Sequence, residues 1–214
     1  MKRAFGLLAV VVLSSLFVGS EAMAERVEEP AYTLVRKADG VELRRYAPTV
    51  RAVTVVENAS RDQAMSEGFR RLAGYIFGGN TKKQSIAMTS PVTAQPESMK
   101  IAMTAPVTAQ PASTGMRVTF TMPATFTLAT LPTPNDSAVV LEDVAERLVA
   151  VRQFSGFAGE AAFERERLAL MNGLASLGVR GIGDAELARY DPPWTLPFFR
   201  RNEVFVEVEA AVVH

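Results

Sequence analysis

The alternation of apolar and polar positions begins at Tyr32 and breaks twice into a longer period. Residues 32–36 alternate, Ala38-Asp39-Gly40 supplies turn chemistry, and Val41–Tyr46 alternates again, so the segment predicts a β-hairpin closed on Asp-Gly. Residues 50–56 predict a third, β-branched strand. The period then lengthens: Met65, Phe69, Leu72, Ala73 and Ile76 fall at i, i+4, i+7, i+8 and i+11, one buried face of a helix. Ser60 is placed to cap that helix, Asp62 lies in its first turn, and Gly78-Gly79-Asn80 stops it.

The same plan returns further along. Residues 139–144 and 148–154 predict strands around a tight turn at Ala145-Glu146, and residues 159–177 predict a second helix. A shift of 98 positions carries Val41 onto Val139, Leu43 onto Leu141, Val53 onto Val151, Met65 onto Phe163, Leu72 onto Leu170 and Ile76 onto Leu174. Two related halves should therefore build one curved sheet covered by two helices, an α+β arrangement. Residues 186–190 and Asn202–Val208 close the chain as strands.

Between the halves lies a sharper repeat. Ile86-Ala-Met-Thr-Ser-Pro-Val-Thr-Ala-Gln-Pro recurs 15 positions later as Ile101-Ala-Met-Thr-Ala-Pro-Val-Thr-Ala-Gln-Pro. Two copies are too few for a solenoid, and Pro91, Pro96, Pro106 and Pro111 exclude their own positions from a central sheet. The pair reads as short strands on an extended loop, which is structural or docks a partner.

Composition places this domain. Lys2 and Arg3, the uncharged run 4–19 and Ala22-Met23-Ala24 follow the order of a cleavable secretory signal, so residues 1–24 are expected to be removed and residues 25–214 to form a single exported domain, periplasmic or extracellular. Ser14, Ser15, Gly19, Ser20 and Glu21 interrupt the run before it reaches spanning length, and the product is expected to keep no membrane attachment. The chain carries 23 basic and 23 acidic side chains, a balance that supplies no drive toward nucleic acid. A monomer is expected. Without cysteine there is no thiol nucleophile, cysteine-held zinc or iron–sulfur cluster, and no covalent c-type haem. The only histidine is His214, the last residue, which leaves a serine triad or a multi-histidine metal site without material.

Glu42-Leu-Arg-Arg-Tyr46, Gly74-Tyr-Ile-Phe-Gly-Gly-Asn80, Ile101-Ala-Met-Thr-Ala-Pro-Val107, Val118-Thr-Phe-Thr-Met-Pro123 and Tyr190-Asp-Pro-Pro-Trp-Thr-Leu-Pro-Phe-Phe-Arg-Arg-Asn-Glu203 occur in one order. In that order they resemble the SOUL haem-binding proteins, over nearly the whole chain from Tyr32 to Val208. The resemblance implies a distorted antiparallel β-barrel of two similar halves with two flanking helices, akin to GyrI-like ligand-binding domains. It also implies non-covalent, non-catalytic binding of haem or another tetrapyrrole, with another hydrophobic small molecule as the alternative.

A tetrapyrrole asks for an apolar wall, a cationic rim and, for iron, an axial ligand. Met65, Phe69 and Leu72 match the helix that lines the family's cleft, and the same stripe also serves as core. Arg44, Arg45, Arg51, Arg70, Lys82 and Lys83 are the rim candidates, of which Arg45 and Arg70 are chosen as ligand-binding. Some haem-binding members carry a histidine ligand in the slot held here by Arg45, and a guanidinium cannot ligate iron. Tyr46 and Tyr75 are then the weak candidates for phenolate ligation, and Met88 and Met103 for thioether ligation; no metal site is assigned. Trp194, between prolines, is expected on a rigid lid over one barrel mouth, contacting ligand or sealing the core, with Arg200-Arg201-Asn202-Glu203 as its anchor. Glu160, Glu164 and Glu166 read as the polar face of the second helix, no nucleophile and base stand paired, and no enzyme is expected.

Overall fold

Two β-β-α-β-β halves interlock through one curled sheet in the computed structural model, which describes residues 27–82 and 99–209. The expected signal segment 1–24, Lys83, the first repeat copy with Met88, and His214 lie outside the described residues. After β1 (Tyr32–Ala38), the first half runs β2 (Val41–Tyr46), β3 (Thr49–Glu57), α1 (Arg61–Ile76), a two-residue β4 (Asn80–Thr81), β5 (Val107–Ala112) and β6 (Gly115–Thr121). β7 (Thr133–Pro134) pairs with β4 apart from the main sheet. The second half runs β8 (Val140–Val144), β9 (Arg147–Phe154), α2 (Glu160–Ser176), β10 (Gly181–Arg189) and β11 (Asn202–Val208).

The nine-stranded order is β1-β2-β9-β11-β10-β5-β6-β3-β8, and without the edge strand β1 it is symmetric about the contact between β10 and β5. Each half lends its first strand to the other: β2 lies on β9, and β8 lies on β3. The registers agree to the residue. Glu42 faces Val151 and Leu43 faces Ala150; 98 positions on, Val140 faces Val53 and Leu141 faces Ala52. The repeat read from hydrophobic positions is thus a rotation in space, and the α+β distorted barrel of two pseudo-repeated halves is the fold observed.

One sheet face carries both helices. Under α1 lie Val50, Ala52, Val56, Val118 and Phe120; under α2 lie Val41, Leu43, Leu148, Ala150, Leu187, Val204 and Val206. Each fully buried aliphatic side chain contributes about 1.5–3 kcal/mol, so these two layers dominate the stability. Ser60 and Gln63 close a reciprocal capping box at the start of α1. The helix sits close to the sheet, because a Cβ on Gly68 would lie 2.5 Å from the Val118 Cβ. That approach centres the buried face on Ala64, Met65, Gly68, Leu72, Tyr75 and Ile76, and leaves Phe69 at the margin, edge-on to Phe120 at 5.4 Å.

Several local expectations change. β10 begins at Gly181 rather than 186, and a bulge between Ile182 and Glu186 with Gly183 at φ 70° hides its alternation. Pro111 lies inside β5, a central strand in the order, yet β10 pairs with β5 only at residues 107–109, so the proline has no neighbour on that side. Glu166 belongs not to the polar face of α2 but beneath it, buried, because Arg152 reaches from β9 to within 2.9 Å. Within the segment expected to be extended, Pro197–Phe199 form a 3-10 turn. The first hairpin turns on Asp39 and Gly40 with φ 51° and 73°, the paired positive angles of a type I′ turn.

Candidate functional site

The alternation that turns Val41 and Leu43 toward α2 turns Glu42, Arg44 and Tyr46 to the helix-free face, where the sheet curls around them. Val149, Val151, Ala188 and Phe205 share that interior. At its centre Glu203, fully buried, accepts hydrogen bonds from both Arg44 guanidinium nitrogens at 3.0 and 3.1 Å and from the Tyr190 hydroxyl at 2.5 Å. Arg201 donates to it at 3.1 Å and stacks on the Tyr190 ring at 3.8 Å. Arg44 also grips Glu42 at 2.7 Å.

These contacts fix the charges. Burial alone would lower the Arg44 pKa, but the Glu203 carboxylate outweighs it and holds the group above its ordinary value. The Lys37 ammonium, ahead of Arg44, holds Glu42 below the usual carboxylate range despite its own partial burial. Burial pushes the phenols of Tyr46 and Tyr190 up, and for Tyr190 the Glu203 charge pushes further in the same direction. The interior is consequently packed with its own polar side chains. The space left is a chamber of about 20 Å³ beside Arg51, the size of one water molecule.

Outside that interior, at the barrel mouth, lies an open pocket of about 580 Å³ lined by Val27, Glu29, Ala105, Tyr190, Asp191 and Arg201. The chain entering β1 is laid across the mouth: Glu28 bridges Thr104, its carbonyl accepts from the Ala105 amide at 2.9 Å, and its carboxylate accepts from the Ala124 amide at 2.8 Å. Glu29 pairs with Arg201 at 3.0 Å. From the same rim springs the loop 191–201, whose ends are tied by the Arg201 amide donating to Asp191 at 2.6 Å. Arg200 donates to the Thr195 carbonyl at 2.7 Å and to Pro193, Asn202 donates to Gly156 at 3.1 Å, and the Gly156 amide donates to Pro197 at 2.8 Å. The expected anchor is therefore in place. What it holds out is apolar: Trp194 is 82 % exposed, Leu196, Phe198 and Phe199 are exposed on the same loop, and Phe157 lies under Arg200 at 5.4 Å.

The sequence candidates do not converge on one place. Met65 and Leu72 are buried in the core beneath α1, whereas Phe69 and Arg70 are exposed on that helix, Arg70 paired with Glu67. Arg45 stands at the end of β2 on the α2 side, paired with Glu146 at 3.1 Å. Trp194 seals no core. Of the rim candidates, Arg44 and Arg51 point into the barrel. Tyr75 is buried, donates to Pro132 at 3.0 Å, and burial pushes its phenol up to about 12. Met103 is partly exposed, in a repeat copy whose Ile101 enters the core and whose Thr104 bonds the Thr121 carbonyl. Sequence reasoning missed Glu203 as the hub, because β11 reads as an alternating strand with Glu203 among its polar positions, whereas the curled sheet buries both of its faces. It also missed Phe157, a lone aromatic in a glycine turn, whose only signal was its size.

These features define a pseudo-twofold antiparallel barrel whose interior is closed and whose open rim sets a largely polar pocket beside an apolar loop. Residues 27–207 match the SOUL heme-binding protein family, and the chain belongs to that family. Similar relatives are heme-binding protein 2 of Mus musculus, 32 % identical over 88 % of each chain, and heme-binding protein 2 of Homo sapiens, 31 % identical over 87 % of this chain and 88 % of that one. Heme-binding protein 1 of Xenopus laevis is 31 % identical over 84 % of this chain and 91 % of its own. Among solved structures, the EcmrR–DNA complex superposes with a TM-score of 0.53 at 11 % identity, covering 79 % of this chain and 57 % of that one. A hydrolase of Listeria innocua superposes at 0.50 with 10 % identity, over 81 % and 94 %. Both likenesses are of fold alone.

A tetrapyrrole can be tested against these residues. Its apolar disc exceeds the 20 Å³ chamber, and the mouth offers both a pocket of adequate size and an aromatic fringe. Its carboxylates would compete for Arg201, which lines the pocket but is paired with Glu29 and Glu203, and for Arg200, which bonds the Thr195 and Pro193 carbonyls. Iron is served poorly: the described residues include neither histidine nor cysteine, and the Tyr46, Tyr75 and Tyr190 phenols are each tied into internal hydrogen bonds. The residues fit the macrocycle better than its metal.

Proposed function

We propose that this protein binds haem or a related tetrapyrrole reversibly and without catalysis, at the outer mouth of the barrel. The carrying observation is membership of the SOUL heme-binding family over residues 27–207. In support, the open pocket and the loop bearing Trp194 offer apolar contact, and Arg200 and Arg201 offer cations for carboxylates. Phe69, Arg70 and Arg45, exposed on the helix-bearing side, are the further residues open to a ligand, while Met65 and Leu72 only seat α1. Affinity on this reading comes from burial and charge, and the macrocycle supplies no reaction. Titrating the protein with hemin and, in parallel, with metal-free protoporphyrin IX tests it. Saturable binding of both, within about threefold of each other, is expected because uniform burial makes no use of iron, a factor of three being under 1 kcal/mol. Binding of neither would overturn the reading.

The poor fit to iron favours one second reading, a different hydrophobic small molecule in the same mouth. Native mass spectrometry of protein purified from its own host, showing a co-purifying non-tetrapyrrole ligand, would select it. We also infer that residues 1–24 are a cleaved export signal and that the product works as a soluble monomer in the periplasm or outside the cell. N-terminal sequencing of the host's protein should begin at Glu25; an intact Met1 would refute export by this route.

A further inference from the structure

The chamber inside the barrel has a chemistry that the mouth does not explain. Arg51 enters it from β3, and its guanidinium Nε is buried without a hydrogen-bond partner. Around it stand Tyr46, Thr49, Thr108, Thr121 and Arg147. The carboxylates nearby are engaged elsewhere: Glu186 takes Arg147 at 3.2 Å, Glu207 lies 4.0 Å from Arg147, and Glu142 takes Arg117. Among the described residues Arg51 thus faces a second guanidinium with no carboxylate of its own, and burial, with the Arg147 charge adding to it, pushes its pKa down to about 10. A half-buried guanidinium whose Nε is left in this way calls for a counter-ion or ordered solvent. The space measures about 20 Å³, room for a group of water's size, and Ala47 and Ala145 on two exposed turns form its outer edge.

We propose that this chamber is a binding site for a compact monovalent anion, a halide ion or the carboxylate of a small acid, held on Arg51 with Arg147 beside it. The anion neutralises the unpaired guanidinium and draws on threonine and tyrosine hydroxyls for the rest of its shell. Entry is from the solvent side at the Ala47 and Ala145 turns, so the site exchanges without the barrel unfolding. It does not depend on tetrapyrrole binding at the mouth.

The test uses the ligand-free protein. Thermal unfolding is followed while sodium methanesulfonate, too large for the chamber, is replaced by sodium chloride or sodium formate up to 200 mM at constant ionic strength. A saturable rise of about 3 °C is expected, the size of effect that a site filled about tenfold above its dissociation constant gives in a domain of this length. Chloride alone acting assigns the site to halides; formate alone acting assigns it to a carboxylate-bearing ligand. Arg51→Gln should lose the dependence, and crystals grown in bromide should show an anomalous peak beside Arg51 in the wild-type protein, a readout that survives if the variant fails to fold. Identical melting in all three salts with no bromide peak, or an Arg51→Gln variant that keeps the dependence, overturns the proposal and leaves the chamber to water.

Discussion

Replacing Glu203 by glutamine removes the charge at the centre of the barrel while keeping its shape. The carboxylate accepts two bonds from Arg44, one from Arg201 and one from Tyr190, and both Glu203 and Arg44 are essentially inaccessible. Breaking a buried ion pair costs about 3–5 kcal/mol, because the surviving charge is stranded. Arg44 keeps Glu42 at 2.7 Å, which draws the figure to the low end, and the displaced Tyr190 bond returns about 1 kcal/mol. The expected loss is therefore about 3–4 kcal/mol, near 10 °C in melting temperature for a chain of this size. Urea unfolding followed by circular dichroism measures it, with Arg45→Gln as the reference. Arg45 and Glu146 are both largely exposed, and their pair should contribute no more than about 1 kcal/mol. Adding Arg44→Met to the glutamine variant should recover part of the loss, since the stranded charge is gone. A Glu203→Gln loss under about 1 kcal/mol would refute the packed, low-dielectric interior on which the whole arrangement rests.

The close seat of α1 gives a second expectation: Gly68→Ala puts a methyl 2.5 Å from Val118 and should cost about 1–3 kcal/mol by the same urea assay, where an unchanged midpoint would mean that the helix stands further off. Alkaline stability follows from the phenols. Tyr46, Tyr75 and Tyr190 all have folded pKa values raised above the unfolded value near 10, so their contribution is complete below pH 10 and is lost as pH rises through the folded values, about 12 for Tyr75. Arg51, lowered to about 10, works in the opposite direction over the same interval. Tyr75→Phe should cost about 1 kcal/mol at neutral pH and flatten the fall above pH 10; an alkaline limb identical to wild type would remove Tyr75 from it.

The fold was legible because each half keeps its periods cleanly. The helix boundaries followed from Ser60, Gly78 and the spacing of Leu72 and Ile76, and the shift of 98 became the register that places Glu42 on Val151 and Val140 on Val53. Strand β10 was half hidden, since Gly181 and Gly183 carry no side chain to mark a face and the bulge breaks the alternation. The interior was harder to read. Arg44 and Glu203 lie 159 positions apart, and charged residues on alternating strands look like a solvated face until the sheet curls around them. Glu166 misled for the same reason, its partner Arg152 coming from another element. Trp194 was found from its proline frame, but its exposure and the placing of Phe157 under Arg200 depend on how two loops meet, which no local pattern encodes.

Trp194 is the only tryptophan, and it stands on the apolar fringe of the mouth. Its fluorescence during titration with hemin therefore reports binding, and replacing Phe157 and Phe198 tests whether that binding is at the rim. Saturable, near-complete quenching at micromolar ligand is expected, unchanged in the Arg51→Gln variant and weakened at least tenfold when Phe157 and Phe198 are both replaced by serine, a loss of about 1.4 kcal/mol. Saturable hemin binding that leaves the Trp194 emission untouched would contradict a site at the mouth, and the absence of any saturable change in either absorbance or emission would contradict tetrapyrrole binding itself.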